Sequence, residues 1–281
     1  MDFKTIFFVA LFGVAVNWYA SRCGYFKAPS MKEESSIRLK FLTVLGAFAI
    51  YFGCTFLITS LMGALLKPAI AQNPIVMMNW IQIFTMTLSL LFLFIFARAS
   101  IEKTSLLNIW KDKSSLYTKP VYYDMGIGIL TWILAFPVVM VVGELSDLFI
   151  YEVLGAENYE QVAVLYLKMT SKYPSLLFIA LAVILIVAPC IEEFLFRGLL
   201  QNFVKQYLGP KAAILLSSLG FAFFHMAPSQ SLGNVSLVLS LFVFACFLGF
   251  VYEKQRSLFA SISLHVVFNA VSTLRILLAA E

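Results

Sequence analysis

Charge is scarce in this chain of 281 residues: 12% of its side chains are charged and 61% are apolar. Soluble domains run at roughly 25% and 45–50%, so a water-soluble globule is excluded and an integral membrane protein is indicated. Histidine is scarcer still, with two in all. The four cysteines do not make a framework: Cys54, Cys190 and Cys246 lie inside apolar runs and Cys23 just after one. No C-x-x-C spacing occurs, so neither a zinc knuckle nor a thiol redox pair is suggested. No internal repeat or Gly/Ser-rich linker divides the chain. The net charge of +5 is small, and nothing implies a nucleic-acid partner.

What is present is a series of long apolar runs. They predict an all-α, polytopic membrane protein of about eight helices, near 4–20, 41–66, 75–98, 121–150, 175–205, 211–227, 234–251 and 257–279. The helices form one bundle enclosing an intramembrane polar cavity. Breakers separate the runs, among them Lys67-Pro68, Asn73-Pro74, Gly209-Pro210 and Pro228. The first run has Asp2 ahead of it and Trp18-Tyr19 where a cleavage site would need small residues, so it reads as an uncleaved span. Cations concentrate in alternate loops: Arg22, Lys27, Lys32, Arg38 and Lys40 in the first, and Arg98, Lys103, Lys111, Lys113 and Lys119 in the third. Lys205 and Lys211 follow in the fifth, Lys254 and Arg256 in the seventh. The positive-inside rule makes these loops cytoplasmic and both termini extracytoplasmic. The segment 151–174 is acidic through Glu152, Glu157 and Glu160, and its apolar residues suggest an interfacial helix. Asp124, Glu144 and Asp147 fall near the ends of the fourth span, where snorkelling or interfacial placement accounts for them.

Against this background the run Glu192-Glu193-Phe194-Leu195-Phe196-Arg197 stands out. A charge at the centre of a membrane helix costs roughly 2.5–3.5 kcal/mol on insertion scales, so such residues persist where they are paired or used. Glu193 and Arg197 are four residues apart, the spacing of an intrahelical ion pair. Glu192 is rotated about 100° from Glu193 and cannot easily share that partner. Both histidines also lie in apolar helices: His225 ends Phe221-Ala222-Phe223-Phe224-His225, and His265 is four residues before Asn269. Ser261 and Ser272 extend the latter face into a polar stripe. A single intramembrane histidine is often only an interhelical hydrogen-bonder. If the fifth and sixth helices form a hairpin turning near Gly209, Glu192 lies 17 residues before the tip and His225 lies 16 after it. At about 1.5 Å per residue the two reach the same depth.

A carboxylate, two imidazoles and an amide suit the activation of water and the stabilisation of an oxyanion. The usual protease signatures are missing: no H-E-x-x-H, no Gly-x-Ser-x-Gly, and no Gly-x-Gly-Asp pattern. Glu192-Glu193-x-x-x-Arg197, Phe221-x-x-x-His225 and His265-x-x-x-Asn269, in this order on three membrane helices, resemble the type II CAAX prenyl endopeptidase family. That family is also called CPBP or Abi. The resemblance covers about 175–275. It implies an intramembrane endopeptidase with residues 171–281 as catalytic core and 1–170 as accessory spans of one membrane domain, 1–281.

By the resemblance, Glu192 is the base that activates water, aided by His225, while His265 and Asn269 form the oxyanion site. Glu193 and Arg197 organise the helix, and Phe221 lines the pocket. A metal-free route is favoured. The alternative has Zn²⁺ held by Glu192, His225 and His265. The expected partners are the bilayer and a peptide or protein substrate, a lipidated C-terminal peptide among the candidates, with cleavage in the cytoplasmic half of the membrane. Two other readings remain open: an ion- or proton-coupled transporter using the same charges, and an inactive immunity or scaffold protein.

Overall fold

The computed structural model describes residues 3–27, 37–112, 119–155 and 161–279. Lys32, Lys113, Glu157 and Glu160, used above, lie outside the described residues. Among the described residues the architecture is helical, and seven helices are long and apolar enough to cross a membrane. They are α1 (Phe3–Arg22), α2 (Phe41–Leu65), α4 (Pro74–Ser100), α6 (Val121–Leu148, continued as a π-helical turn over Phe149–Val153), the composite Pro174–Phe224, α11 (Gly233–Gln255) and α12 (Leu258–Leu278). Large apolar side chains face outward along them, Phe8, Phe56, Phe94 and Phe178 for example. That is the pattern of a bundle whose solvent is lipid. The chain is an integral multi-pass membrane protein.

The composite span accounts for the difference between eight predicted helices and seven. It comprises α8 (Pro174–Ala182), a π segment Val183–Val187, α9 (Ala188–Glu193), a π segment Phe194–Gln201 and α10 (Asn202–Phe224). Gly209 breaks α10 with φ 76° and ψ 174°, a conformation open to glycine and closed to side chains with a Cβ. Pro210 follows and cannot donate into the preceding turn. The two arms then fold back on each other. Ser217 Oγ donates to Gln201 Oε1 at 3.2 Å, and the Phe196 ring stacks edge-on to Phe221 at 5.2 Å. Each pair is nearly equidistant in sequence from Gly209, as an antiparallel hairpin requires.

Three short helices were not among the predicted spans: α3 (Lys67–Gln72), α5 (Lys103–Trp110) and α7 (Val162–Ser171). The last occupies the acidic segment where an interfacial helix was expected. Proline shapes the long helices as well. Pro137 sits inside α6, where a missing N–H loosens the carbonyl ladder. Asn17 of α1 donates its amide to the nearby Leu134 carbonyl at 3.0 Å, which docks α1 there. Between α6 and α12 the packing is closest at Gly128, whose added Cβ would fall 2.1 Å from the Ala260 carbonyl oxygen.

One end of the bundle, the Gly209 end, is laced by polar contacts. Gln206 accepts from the Leu39 amide at 3.2 Å, and Lys205 pairs with Glu253 at 2.5 Å. The Asp112 amide donates to the Arg256 carbonyl at 2.9 Å. Asp124 is buried and paired with Lys111 rather than snorkelling to an interface. A carboxylate in the first turn of α6 also meets the positive end of the helix dipole.

Candidate active site

Glu192 and Glu193 end α9, just before the π segment Phe194–Gln201. The two neighbours have opposite surroundings. Glu193 and Arg197 have no exposed side-chain surface and meet at 2.9 Å through Oε1 and NH1. Arg197 also donates to the Ala245 carbonyl at 3.1 Å and lies 4.6 Å over the Phe221 ring. Glu192 keeps 12% of its side-chain surface exposed and His225 keeps 28%. Water can therefore reach Glu192 and cannot reach Glu193.

Both histidines turn the same nitrogen toward Glu192. His225 sits at the end of α10, and its Nδ1 donates to the Phe221 carbonyl at 2.9 Å. That leaves Nε2 facing Glu192 Oε2 at 3.6 Å. His265, on α12, uses Nδ1 to reach Glu193 Oε1 at 2.9 Å, and its Nε2 lies 3.8 Å from Glu192 Oε2. A hydrogen bond made by one ring nitrogen fixes which way the other points. Glu193 Oε1 thus receives both Arg197 and His265 and orients the second imidazole. Phe221 packs against both rings, 4.6 Å from His225 and 5.8 Å from His265 by centroid, while Phe244 closes on His265 at 5.4 Å.

Asn269 is engaged elsewhere. Its amide donates to the Ile184 carbonyl at 3.0 Å. The reason lies in the helix opposite: the π turn has the Ala188 amide bonded to the Val183 carbonyl. The next donor in line for Ile184 belongs to position 189, a proline with no N–H. Asn269 fills the acceptor that Pro189 leaves orphaned and ties α12 to the helix that carries Glu192. The sequence reading assigned Asn269 to an oxyanion site; the contact it makes here is with backbone. Asn202 acts similarly in the segment that follows, donating to the Arg197 and Gly198 carbonyls at 3.0 and 2.9 Å.

A cavity of about 720 Å³ opens beside His225, lined by Thr55, Thr59, Gly63, Gln82, Thr85 and Tyr166 among others. Its walls come from α2, α4 and α7 as well as the histidine-bearing segment, and aliphatic groups predominate. Sequence reasoning missed Tyr51, a buried α2 residue whose ring lies 5.4 Å from that of Phe224, next to His225. Its hydroxyl lies within electrostatic range of the Glu192 carboxylate. No polar motif marks it, because it stands alone in an apolar run. The zinc reading of Glu192, His225 and His265 finds no support: among the described residues, no group of three or more His, Cys, Asp or Glu is arranged to hold a metal ion.

Comparison with known proteins adds one match. Residues 174–271 match the family model described as Type II CAAX prenyl endopeptidase Rce1-like. The matched stretch runs from the start of α8 past Asn269 and contains every side chain placed around Glu192 except Tyr51. No curated protein and no solved structure matches the chain.

Proposed function

We propose that this chain, which belongs through residues 174–271 to the type II CAAX prenyl endopeptidase family, hydrolyses peptide bonds inside the membrane with Glu192 as general base. The observation that carries the reading is the contrast between adjacent carboxylates: Glu193 sealed with Arg197, and Glu192 partly exposed beside the cavity that His225 lines, faced by two imidazole Nε2 atoms.

In this mechanism a water beside Glu192 and His225 gives its proton to Glu192 while its oxygen adds to the peptide carbonyl carbon. The carbonyl oxygen gains the negative charge and faces His265 Nε2. When the tetrahedral intermediate collapses, the C–N bond breaks and the proton held by Glu192 passes to the departing amine. A His265 ring protonated on both nitrogens makes the buried set of Glu192, Glu193, Arg197 and His265 neutral overall, and gives Nε2 an N–H to donate. Buried charges persist when they are balanced and hydrogen-bonded in this way. The second N–H of Asn269 is the remaining candidate donor to the oxyanion. No step calls on a metal.

The test is Glu192→Gln in the full chain, purified and reconstituted with a mixture of apolar peptides, with products read by mass spectrometry. General-base loss is expected to cost about 10²–10⁴ in rate, at an unchanged melting temperature. Cleavage at the native rate would overturn the assignment.

A further inference from the structure

The two ends of this bundle differ in charge and in access. The Gly209 end carries Arg98, Lys103, Lys111, Lys205, Lys254 and Arg256, whereas Lys67, Lys168, Lys172 and Arg275 belong to the other end. The hydrogen-bonded contacts of Leu39, Asp112, Lys205 and Lys254 hold the first of these ends together. By the positive-inside rule it is the cytoplasmic one.

Among the described residues, access to Glu192 from that basic end is blocked. Between the glutamates and Gly209 stand Arg197 and Gln201, both with no exposed surface, and Asn202 at 2%. Gln201 is locked to the Gly249 carbonyl and to Glu253, each at 3.1 Å, and Asn202 to the Tyr252 hydroxyl at 2.6 Å. A hollow on this side, lined by Asp112, Lys205, Tyr252 and Arg256, has a volume of about 10 Å³. That is room for about one water. The cavity beside His225 behaves oppositely. It runs from Thr55, Met86 and Ile184 at mid-bundle to Gly63, Ile70, Gln161 and Gln230, which belong to the far end, and holds about 720 Å³. Depth agrees: 17 residues from Gly209 to Glu192, at about 1.5 Å each, spend most of the ~30 Å hydrocarbon core.

We infer that the site receives its substrate from the end opposite the basic belt, the extracytoplasmic one. Its substrate is an apolar peptide segment lying in, or exported to, the outer half of the membrane, and not the terminus of a cytoplasmic protein. This rests on the peptidase reading for what happens to the segment, but the direction of access stands on the cavity's geometry and the positive-inside rule. It moves cleavage out of the cytoplasmic half, where the sequence reading put it. The mainly aliphatic walls suit an apolar segment, and continuity with His225 makes the cavity its route to Glu192.

The experiment uses sided labelling of the full chain in its native membrane. Cys54, Cys190 and Cys246 are replaced by Ala. Native Cys23, exposed at the basic end, reports that face. In a second protein Cys23→Ala is combined with Gly63→Cys in the cavity wall, where an added Cβ meets nothing within 4 Å. Thr59→Cys serves as an independent wall position should the first variant fold poorly, and Lys172→Cys marks the far end. A membrane-impermeant maleimide is applied to intact cells and to inverted vesicles. The expected result is labelling of Gly63→Cys and Lys172→Cys in intact cells, with that labelling lost in inverted vesicles, and the reverse for Cys23. A small charged thiosulfonate on His225→Cys is expected to follow Gly63→Cys. Modification of the wall cysteines or of His225→Cys from the Cys23 side would overturn the inference. Labelling needs no turnover, so its outcome is separate from that of Glu192→Gln.

Discussion

The pairing of Glu193 with both Arg197 and His265 makes it the residue whose loss propagates furthest. Removing one partner of a buried pair leaves an uncompensated charge and costs about 3–5 kcal/mol. Glu193→Ala is therefore expected to lower the melting temperature in detergent sharply, whereas Glu192→Gln, at a more exposed position, is expected to leave it almost unchanged. Asn269 offers a sharper test of cause. Asn269→Ala leaves the Ile184 carbonyl without a donor, at a cost of about 1–3 kcal/mol. Pro189→Ala supplies a backbone N–H to that same acceptor. The double variant is expected to be more stable than Asn269→Ala alone, measured by thermal unfolding, and simple additivity of the two changes would argue against the coupling. Tyr51→Phe keeps the ring packing on Phe224 and removes only the hydroxyl near Glu192. The expected outcome is reduced kcat with an unchanged melting temperature.

Among the elements, the hairpin around Gly209 sets the register that brings Glu192 level with His225. At φ 76° and ψ 174°, a region essentially reserved for glycine, a Cβ costs roughly 1–3 kcal/mol, so Gly209→Ala is expected to destabilise the protein by about that much. The π segments before and after Glu192 have a matching effect on the other side: each shifts the ladder by a residue and exposes carbonyls that side chains then fill. Irregular helix of this kind recurs at functional sites. The accessory helices contribute as well, since α2, α4 and α7 supply most of the cavity wall.

For the molecule as a whole, apolar runs of span length reveal how many times the chain crosses, because a bilayer leaves few alternatives to helix. Spacing put Glu193 and Arg197 on one face, and residue counts from Gly209 put Glu192 and His225 at one depth. Those relations are local, or follow from a single turn, and the chain alone states them. It could not state that His265 would bond to Glu193 rather than stand free, because that contact joins helices 72 residues apart in sequence. Nor could it show Asn269 held by a carbonyl that a proline elsewhere had orphaned, or Tyr51 beside Glu192, since neither carries a pattern. Asp124 read as an end-of-span charge and proved buried, because its partner Lys111 comes from a different element. The direction of access belongs to the same class. Charge in the loops names the two faces, but which one the cavity reaches depends on where buried side chains fill space between helices. Periodicity and charge therefore determined the spans and the polar set, with the orientation inferred from the loop cations. Packing between distant segments decided which glutamate is sealed, which is reachable, and from where.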